Sequence, residues 1–384
     1  MNRPYRVLHV IDSLVLGGAQ VVLENLLTHV DRSRFAPETV CLHGRGVFWD
    51  RIKATGSPVH SLSFHYYFPS YIPGLLGIML ARRYDVVHCH LLASNLIAKP
   101  IASFAGAPVR INHDHCNDKL GDPRRWTPAA DTWANRFSTH VCAVSESTRQ
   151  YLIQHEGVPE ERTTTIHNGV DLAKFHPRPE QRAEARARWN LPADAFVMGG
   201  IGRLSYQKNF ALFLETAAKV LAKHPAARFV IAGTGEDEAA LRAQASRLGL
   251  DSRLQFLGFV GDMTALYPAL DLLLLTSRYE GLPITILEAM AVGIPIVASR
   301  LDGMLEILRD GEDAALVPPG ERDAFVARVC ELIEHPALAR RYADAALTKA
   351  RAHYSAEAMT RAVEAIYMKY LPERGADEMT KLDG

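Results

Sequence analysis

Two glutamates eight residues apart, Glu280 and Glu288, stand in the segment Ser277-Arg278-Tyr279-Glu280-Gly281-Leu282-Pro283-Ile284-Thr285-Ile286-Leu287-Glu288-Ala289-Met290. The apolar run Leu272–Thr276 before it reads as a strand, and Pro283 suits the first turn of a helix, where its missing N–H costs nothing. On this reading Glu280 lies in the loop and Glu288 about one and a half turns into the helix, so both carboxylates can face one cleft. The free amides at such a helix start, with the positive end of its dipole, form an anion site suited to the phosphates of a nucleotide. A helix-start acid and a solvated surface acid would be the ordinary explanation of the pair. Glu288, however, is flanked by Ile286, Leu287, Ala289 and Met290, and a carboxylate in so apolar a helix is expensive to bury without a partner. Two ligand hydroxyls would supply one.

The pattern E-G-L-P-x-x-x-x-E followed by A-M-A-x-G-x-P-I-V-A-S, here Glu280 to Ser299, resembles the signature of glycosyltransferase family 4. The resemblance implies a GT-B fold, an α/β architecture of two Rossmann-like doubly wound domains facing across a cleft, and sugar transfer from a nucleotide donor with retention of configuration. By resemblance Glu280 contacts the donor sugar, Glu288 the ribose hydroxyls, and Gly281 and Leu282 line the same site. The stretch Gly199-Gly200-Ile201-Gly202-Arg203-Leu204-Ser205-Tyr206-Gln207-Lys208-Asn209 is similar to the family's G-R-L…K-N loop, which assigns Arg203 and Lys208 to the donor diphosphate. Two fixed cations can neutralise a departing diphosphate as a metal would elsewhere. Leu16-Gly17-Gly18-Ala19-Gln20 resembles the N-terminal glycine loop, where Gly17 and Gly18 let the backbone approach the donor from the facing domain. Phe259 and Val260 fall where the family holds the base. Asn112-His113-Asp114-His115 resembles the T-x-H-D segment, with Ile111 where threonine is commoner; this puts His113 near the transferred sugar and makes His115 its neighbouring competitor.

Short buried-strand runs must position these loops. They read as Val7–Ile11, Asp85–His90, Val109–Asn112, Val141–Ser145 and Thr164–His167, then Phe196–Ile201, Phe229–Ala232, Leu254–Leu257, Leu272–Thr276, Ile296–Ala298 and Leu316–Val317. Helical patterns alternate with them, the clearest from Ala19 to Val30 directly after Gly17-Gly18. One architecture is repeated twice around a proline-punctuated stretch. The expected division is an acceptor-binding domain over 1–175, a linker over 176–194, and a donor-binding domain over 195–355. The residues 356–384 are expected to form a helix packing back toward the first domain, Ala356 to Tyr370, and a disordered polar tail.

The whole chain has 384 residues, 48% of them apolar, with 43 basic and 43 acidic side chains. Zero formal charge gives no electrostatic argument for nucleic acid as a partner. Five scattered cysteines without a C-x-x-C pair fit neither a disulfide framework nor a zinc ribbon and point to a reducing compartment. The longest apolar stretch, Tyr71 to Ala81, is broken by Pro73 and Gly74 and is too short to span a bilayer. The expected protein is cytoplasmic. The aromatics Phe64-His65-Tyr66-Tyr67-Phe68 with Arg82-Arg83 mark a candidate peripheral membrane surface within the acceptor domain.

The expected activity is therefore that of a retaining glycosyltransferase using a nucleotide sugar, a UDP-sugar by preference, with a glycan or lipid-linked glycan as acceptor in bacterial polysaccharide biosynthesis. No D-x-D carboxylate pair occurs, so no metal or other cofactor is expected. A nucleotide-sugar epimerase on the same scaffold and a non-catalytic nucleotide-sugar-binding partner are the rivals, because a fold does not dictate a reaction. An epimerase needs no acceptor. A sensor would keep Arg203 and Lys208 yet tolerate loss of Glu280.

Overall fold

The computed structural model describes residues 3–62, 71–115 and 128–372. The expected tail and the aromatic run from Phe64 lie outside the described residues. Thirteen strands form two wholly parallel sheets. The first contains β1 Tyr5–Ile11, β2 Phe35–Cys41, β3 Val59–Ser61, β4 Val86–His90, β5 Val109–Asp114, β6 His140–Ala143 and β7 Thr163–Thr165, in the order β3-β2-β1-β4-β5-β6-β7. The second contains β8 Val197–Ile201, β9 Arg228–Ala232, β10 Leu254–Gly258, β11 Leu272–Leu275, β12 Ile296–Ser299 and β13 Ala315–Val317, in the order β10-β9-β8-β11-β12-β13. Both orders reverse once, between β1 and β4 and between β8 and β11. Parallel α/β sheets open a crevice beyond their carboxyl ends at such a reversal.

Two strands absent from the sequence reading are β2 and β3. Pro37 disguises β2, but its missing N–H is harmless here: Thr39, of the same parity, donates to Pro58 on the β3 side, and β3 pairs only with residues 39–41. Pro37 precedes that pairing. The helix Tyr71–Arg82 likewise forms despite Pro73, which sits in the first turn where amides have no intrahelical acceptor.

The stretch 176–194 is more than a spacer. Its short helix Arg182–Arg188 is fastened to Asp271, whose carboxylate accepts from Arg182 at 2.5 Å, Arg186 at 2.6 Å and the Val197 amide at 2.7 Å. Arg186 is buried there, so removing Asp271 would take away the carboxylate that faces a buried guanidinium. The segment thus packs as part of the second domain.

The chain crosses back at a second point. Val170 and Ser355 form an isolated parallel bridge, with Val170 N donating to Tyr354 O at 2.8 Å and Ala356 N to Val170 O at 2.9 Å. A side chain on Gly169 would come within 2.5 Å of Ser355 O, so this crossing tolerates only glycine. The final helix Ala356–Tyr370, capped by Ser355 Oγ, packs against the helix Gly18–His29. Glu364 accepts from the Asp31 amide at 2.7 Å, and the hydroxyls of Tyr367 and Tyr370 bond His88 Nδ1 at 2.5 Å and His140 Nδ1 at 3.0 Å.

His88 belongs to a wall of imidazoles on one face of the first sheet. His9 pairs in register with His88, and His90 with His113, so period-two alternation brings His9, His88, His90 and His113 together, with His115 beyond the strand end. The rings of His88 and His90 lie 4.4 Å apart and those of His113 and His115 4.6 Å apart. His90 bonds His9 Nδ1 through Nε2 and His115 Nε2 through Nδ1, both at 3.1 Å. Burial depresses all five, His9 to about 3 and His113 to about 4, and the others well below the ordinary 6.5. These groups remain neutral in the folded chain while the unfolded chain protonates them below 6.5, so stability present above that value is lost as pH falls. The expected outcome is a melting temperature that drops steeply from about pH 6.5 to pH 4, with proton uptake on unfolding and a shallower slope in His9→Gln. Calorimetry across that range checks it; a flat profile contradicts the neutral wall.

Candidate active site

Between the two sheets lies a cavity of about 670 Å³, lined from both domains. Its walls contain every candidate singled out in the sequence: Gly17, Gly18, His113, Arg203, Lys208, Phe259, Val260, Glu280, Leu282 and Glu288 line it directly, and Gly281 adjoins Glu280 and Leu282. The loops that deliver them follow β1, β5, β8, β10 and β11, so the crevices at the two reversals face each other.

The loop after β8 turns at Gly202 (φ +152°), and Gly233 (φ +145°) passes so close that a side chain on it would meet Gly202 O at 1.8 Å. Only glycine fits such backbone contact. Arg203 emerges from this turn and donates across the cleft to Leu16 O at 2.7 Å, beside Gly17. Lys208 donates to Glu280 Oε1 at 2.5 Å, Ser277 Oγ donates to the same oxygen at 2.6 Å, and Gln207 Nε2 reaches Oε2 at 3.3 Å. Glu280 is therefore a buried, charge-paired group. The Lys208 ammonium, held in that pair, can also reach an anion entering the cavity.

Pro283 is the residue before the helix Ile284–Val292, in extended backbone, and not its first helical residue. The distinction is one position, since an extended residue with φ near −73° is equally natural for proline. Thr285 and Glu288 still face the cavity from the first turns. Glu288 is 5% exposed, and Tyr267 donates its hydroxyl proton to Oε2 at 2.7 Å. Burial pushes the Glu288 carboxyl up to about 7 in spite of that bond. Such a displacement from 4.5 corresponds to on the order of 3 kcal/mol.

From the facing domain, His113 is fully buried, and neither ring nitrogen has a hydrogen-bond partner among the described residues. A neutral imidazole in this state can offer one donor and one acceptor to a ligand. A side chain on Gly17 would meet Gln20 Oε1, the movable end of a side chain, at 2.4 Å, whereas Gly18 has open surroundings. Gly281 makes a close approach between domains: a side chain there would meet His115 O at 2.6 Å and Val144 Cγ2 at 2.9 Å. Phe259 leaves its own domain to pack with Leu14, Leu23 and Phe48 of the other.

Several contributors carried no sequence signal. Asp12 accepts from the Ala93 and Ser94 amides at 2.9 and 2.6 Å, capping the helix Leu92–Phe104 from beneath the cavity. Asn168 donates to Leu282 O at 2.7 Å, and Arg51 binds Glu24 while reaching Gly261 O at 3.4 Å. Tyr267 and Ser277 are reached only through folding, whereas Asn168 stands in Asn168-Gly169-Val170-Asp171, a further stretch that resembles the family. Among the described residues the histidines His90, His113 and His115 bring one nitrogen each within 4.8 Å of the others. Their rings lie within 31° of parallel, and in-plane lone pairs of stacked rings do not converge on one point as tetrahedral ligation requires.

The buried Glu288 has a stability consequence. The folded chain holds its proton up to about pH 7, the unfolded chain only to 4.5, so this group's stabilisation is lost as pH rises through 7. Glu288→Gln is expected to melt higher than the parent at about pH 8 and equally at about pH 5. Differential scanning fluorimetry of the two ligand-free proteins measures the difference.

Comparison with known proteins agrees with this geometry. The family profile described as Glycosyl transferases group 1 matches residues 181–349, and that described as Glycosyltransferase Family 4 matches residues 16–174. The lipopolysaccharide core biosynthesis mannosyltransferase LpcC of Rhizobium leguminosarum bv. viciae is 34% identical over 253 residues, covering 65% of this chain and 69% of that protein. The UDP-Gal:alpha-D-GlcNAc-diphosphoundecaprenol alpha-1,3-galactosyltransferase of Escherichia coli is 27% identical over 259 residues, covering 66% of this chain and 67% of that one. Among solved structures, Anabaena HepE in complex with UDP-glucose superposes with a TM-score of 0.85 at 23% identity, over 95% of this chain and 99% of that one. The chain is therefore a family 4 glycosyltransferase with the GT-B fold.

Proposed function

We propose that this glycosyltransferase moves a sugar from a UDP-sugar to a hydroxyl of a glycan or lipid-linked glycan acceptor in bacterial polysaccharide biosynthesis, with retention of configuration. The observation that carries the reading is the pair of buried carboxylates on one cavity wall, Glu280 held by Lys208 and Glu288 held by Tyr267. Phe259 and Val260 flank the base, Glu288 accepts from the ribose hydroxyls, and Arg203 and Lys208 meet the diphosphate with the helix start after Pro283. Glu280 accepts from the donor sugar. Neutral His113 hydrogen-bonds a hydroxyl of the sugar being transferred.

In this scheme the bond from the anomeric carbon to the phosphate oxygen breaks and a bond to the acceptor oxygen forms on the same face. The acceptor proton passes to the leaving phosphate oxygen, so no carboxylate nucleophile is needed. A UDP-glucose complex of HepE and the UDP-Gal donor named for the Escherichia coli relative support the choice of base. The lipopolysaccharide and diphosphoundecaprenol substrates named for relatives support the acceptor class. The relatives are named as transferases, which favours this reading over an epimerase or a binding protein.

The same reading places the protein in the cytoplasm, in peripheral contact with the membrane. No described helix is long and apolar enough to cross a membrane. The exposed Ile72 and Leu80 of the helix Tyr71–Arg82, with the exposed Arg83 just beyond it, support contact with an anionic surface, while Arg82 is paired with Glu38.

Two experiments test the assignment. In calorimetry with UDP, Glu288→Ala is expected to bind roughly tenfold or more weakly, the scale of a lost hydrogen bond to a charged group, whereas Glu280→Ala retains UDP affinity and loses turnover. Unchanged UDP affinity in Glu288→Ala overturns the ribose assignment. We also propose that catalysis uses no divalent metal, because Arg203 and Lys208 carry the phosphate charge. Chelator is expected to leave the rate nearly unchanged, and Lys208→Ala to lower it roughly a hundredfold or more. Activity abolished by chelator and restored by magnesium overturns that reading.

A further inference from the structure

Glu288 reaches the cavity through a contact that nothing in the motif requires. Tyr267 lies in a short turn, Tyr267–Ala269, packed against the helix Ile284–Val292, and is fully buried. Its ring packs edge-to-face on Phe175, with centroids 6.0 Å apart, and its hydroxyl stands 2.7 Å from Glu288 Oε2 and 3.3 Å from Thr285 O. A phenol has one proton, and the shorter contact to a carboxylate takes it. Phenylalanine would fill the same apolar space, so packing alone does not account for the hydroxyl. No other hydrogen bond to Glu288 occurs among the described residues.

We propose that Tyr267 is a positioning residue for the donor: its hydroxyl ties down Oε2 of Glu288 and turns Oε1 toward the ribose, without itself touching the nucleotide. The proposal rests on the reading of Glu288 as the ribose acceptor. Its electrostatic side follows from the groups around the carboxylate. Burial raises Glu288 to about 7; the Tyr267 hydrogen bond, then Lys174 from the crossing after β7 and Arg51 across the cleft, oppose that rise, and Glu24 reinforces it. Losing the hydroxyl therefore moves the carboxylate toward its neutral form at neutral pH. A protonated Glu288 keeps an acceptor but no longer offers a full charge to the ribose hydroxyls.

Tyr267→Phe separates this role from a structural one. UDP affinity is measured by calorimetry for parent, Tyr267→Phe and Glu288→Gln between about pH 6 and 9, where titration of UDP itself is common to all three. For the parent, affinity rises with pH through about 7 and then levels. For Tyr267→Phe the midpoint is expected to move to higher pH, with affinity roughly tenfold weaker near pH 7 and the gap narrowing at the alkaline end. Donor KM should rise while kcat at saturating donor stays near the parent's. A purely structural tyrosine would lower the melting temperature and leave the midpoint in place. If Glu288→Gln binds UDP with the parent's affinity and pH profile, the ribose reading itself fails. If Glu288→Gln weakens binding and removes the pH dependence, yet Tyr267→Phe keeps both affinity and midpoint of the parent, the role of Tyr267 alone is overturned.

Discussion

The site depends on a backbone contact that leaves no room for a side chain. Gly281 follows Glu280 directly, and a side chain there would sit 2.6 Å from His115 O of the facing domain. On its other flank the Gly281 carbonyl would meet a side chain on Gly303 at 1.8 Å. The loop after β11 is thus held between the end of β5 and the start of the helix Asp302–Leu305. That confinement brings Glu280 within the same cavity as His113, although the two belong to different sheets. Arg203 to Leu16, Asn168 to Leu282 and Glu306 to the amides of Glu146 and Ser147 close the remaining distance between domains.

Glu280, Glu288 and the histidines are buried at this cleft, and each is compensated differently. Glu280 is paired with Lys208 at 2.5 Å. Glu288 has only a neutral donor in contact and is left poised near neutral pH. The histidines surrender their charge altogether, because stacked and buried imidazoles cannot each hold a proton in low dielectric. Glu280 and Glu288 stand with Arg203 and Lys208 on one wall of the cleft, and His113 and His115 stand with Asp12 and Asp114 on the facing wall.

Two chain crossings join the domains that form this arrangement. Val170 and Ser355 lie side by side, and the final helix is bonded to the first domain through Tyr367, Tyr370 and Glu364. Phe175, next to one crossing, packs on Tyr267, which holds Glu288. The crossing and the donor wall are therefore in direct contact through two aromatic rings.

By itself the sequence determined the doubled α/β architecture and most of the strands, because those signals are local, while the residues of the cleft were legible through the resemblance of their motifs to a family. Continuous apolar runs such as Leu272–Leu275 mark buried parallel strands, and glycines and charges at fixed spacing after them mark the loops. Strands β2 and β3 escaped because Pro37 and the shortness of Val59–Ser61 erase the local pattern, and they form only where β1 offers an edge. The segment 176–194 read as a linker because its arginines look solvated until Asp271, some 85 residues from Arg186, is brought beside them. Tertiary structure alone decided that Glu280 is paired with Lys208, that Tyr267 stands behind Glu288, and that His9, His88, His90 and His113 from three strands share one buried face, with His115 beyond the end of β5. Each of these pairs residues far apart in the chain, and only the packed fold sets the distance and the dielectric on which their protonation and their chemistry depend.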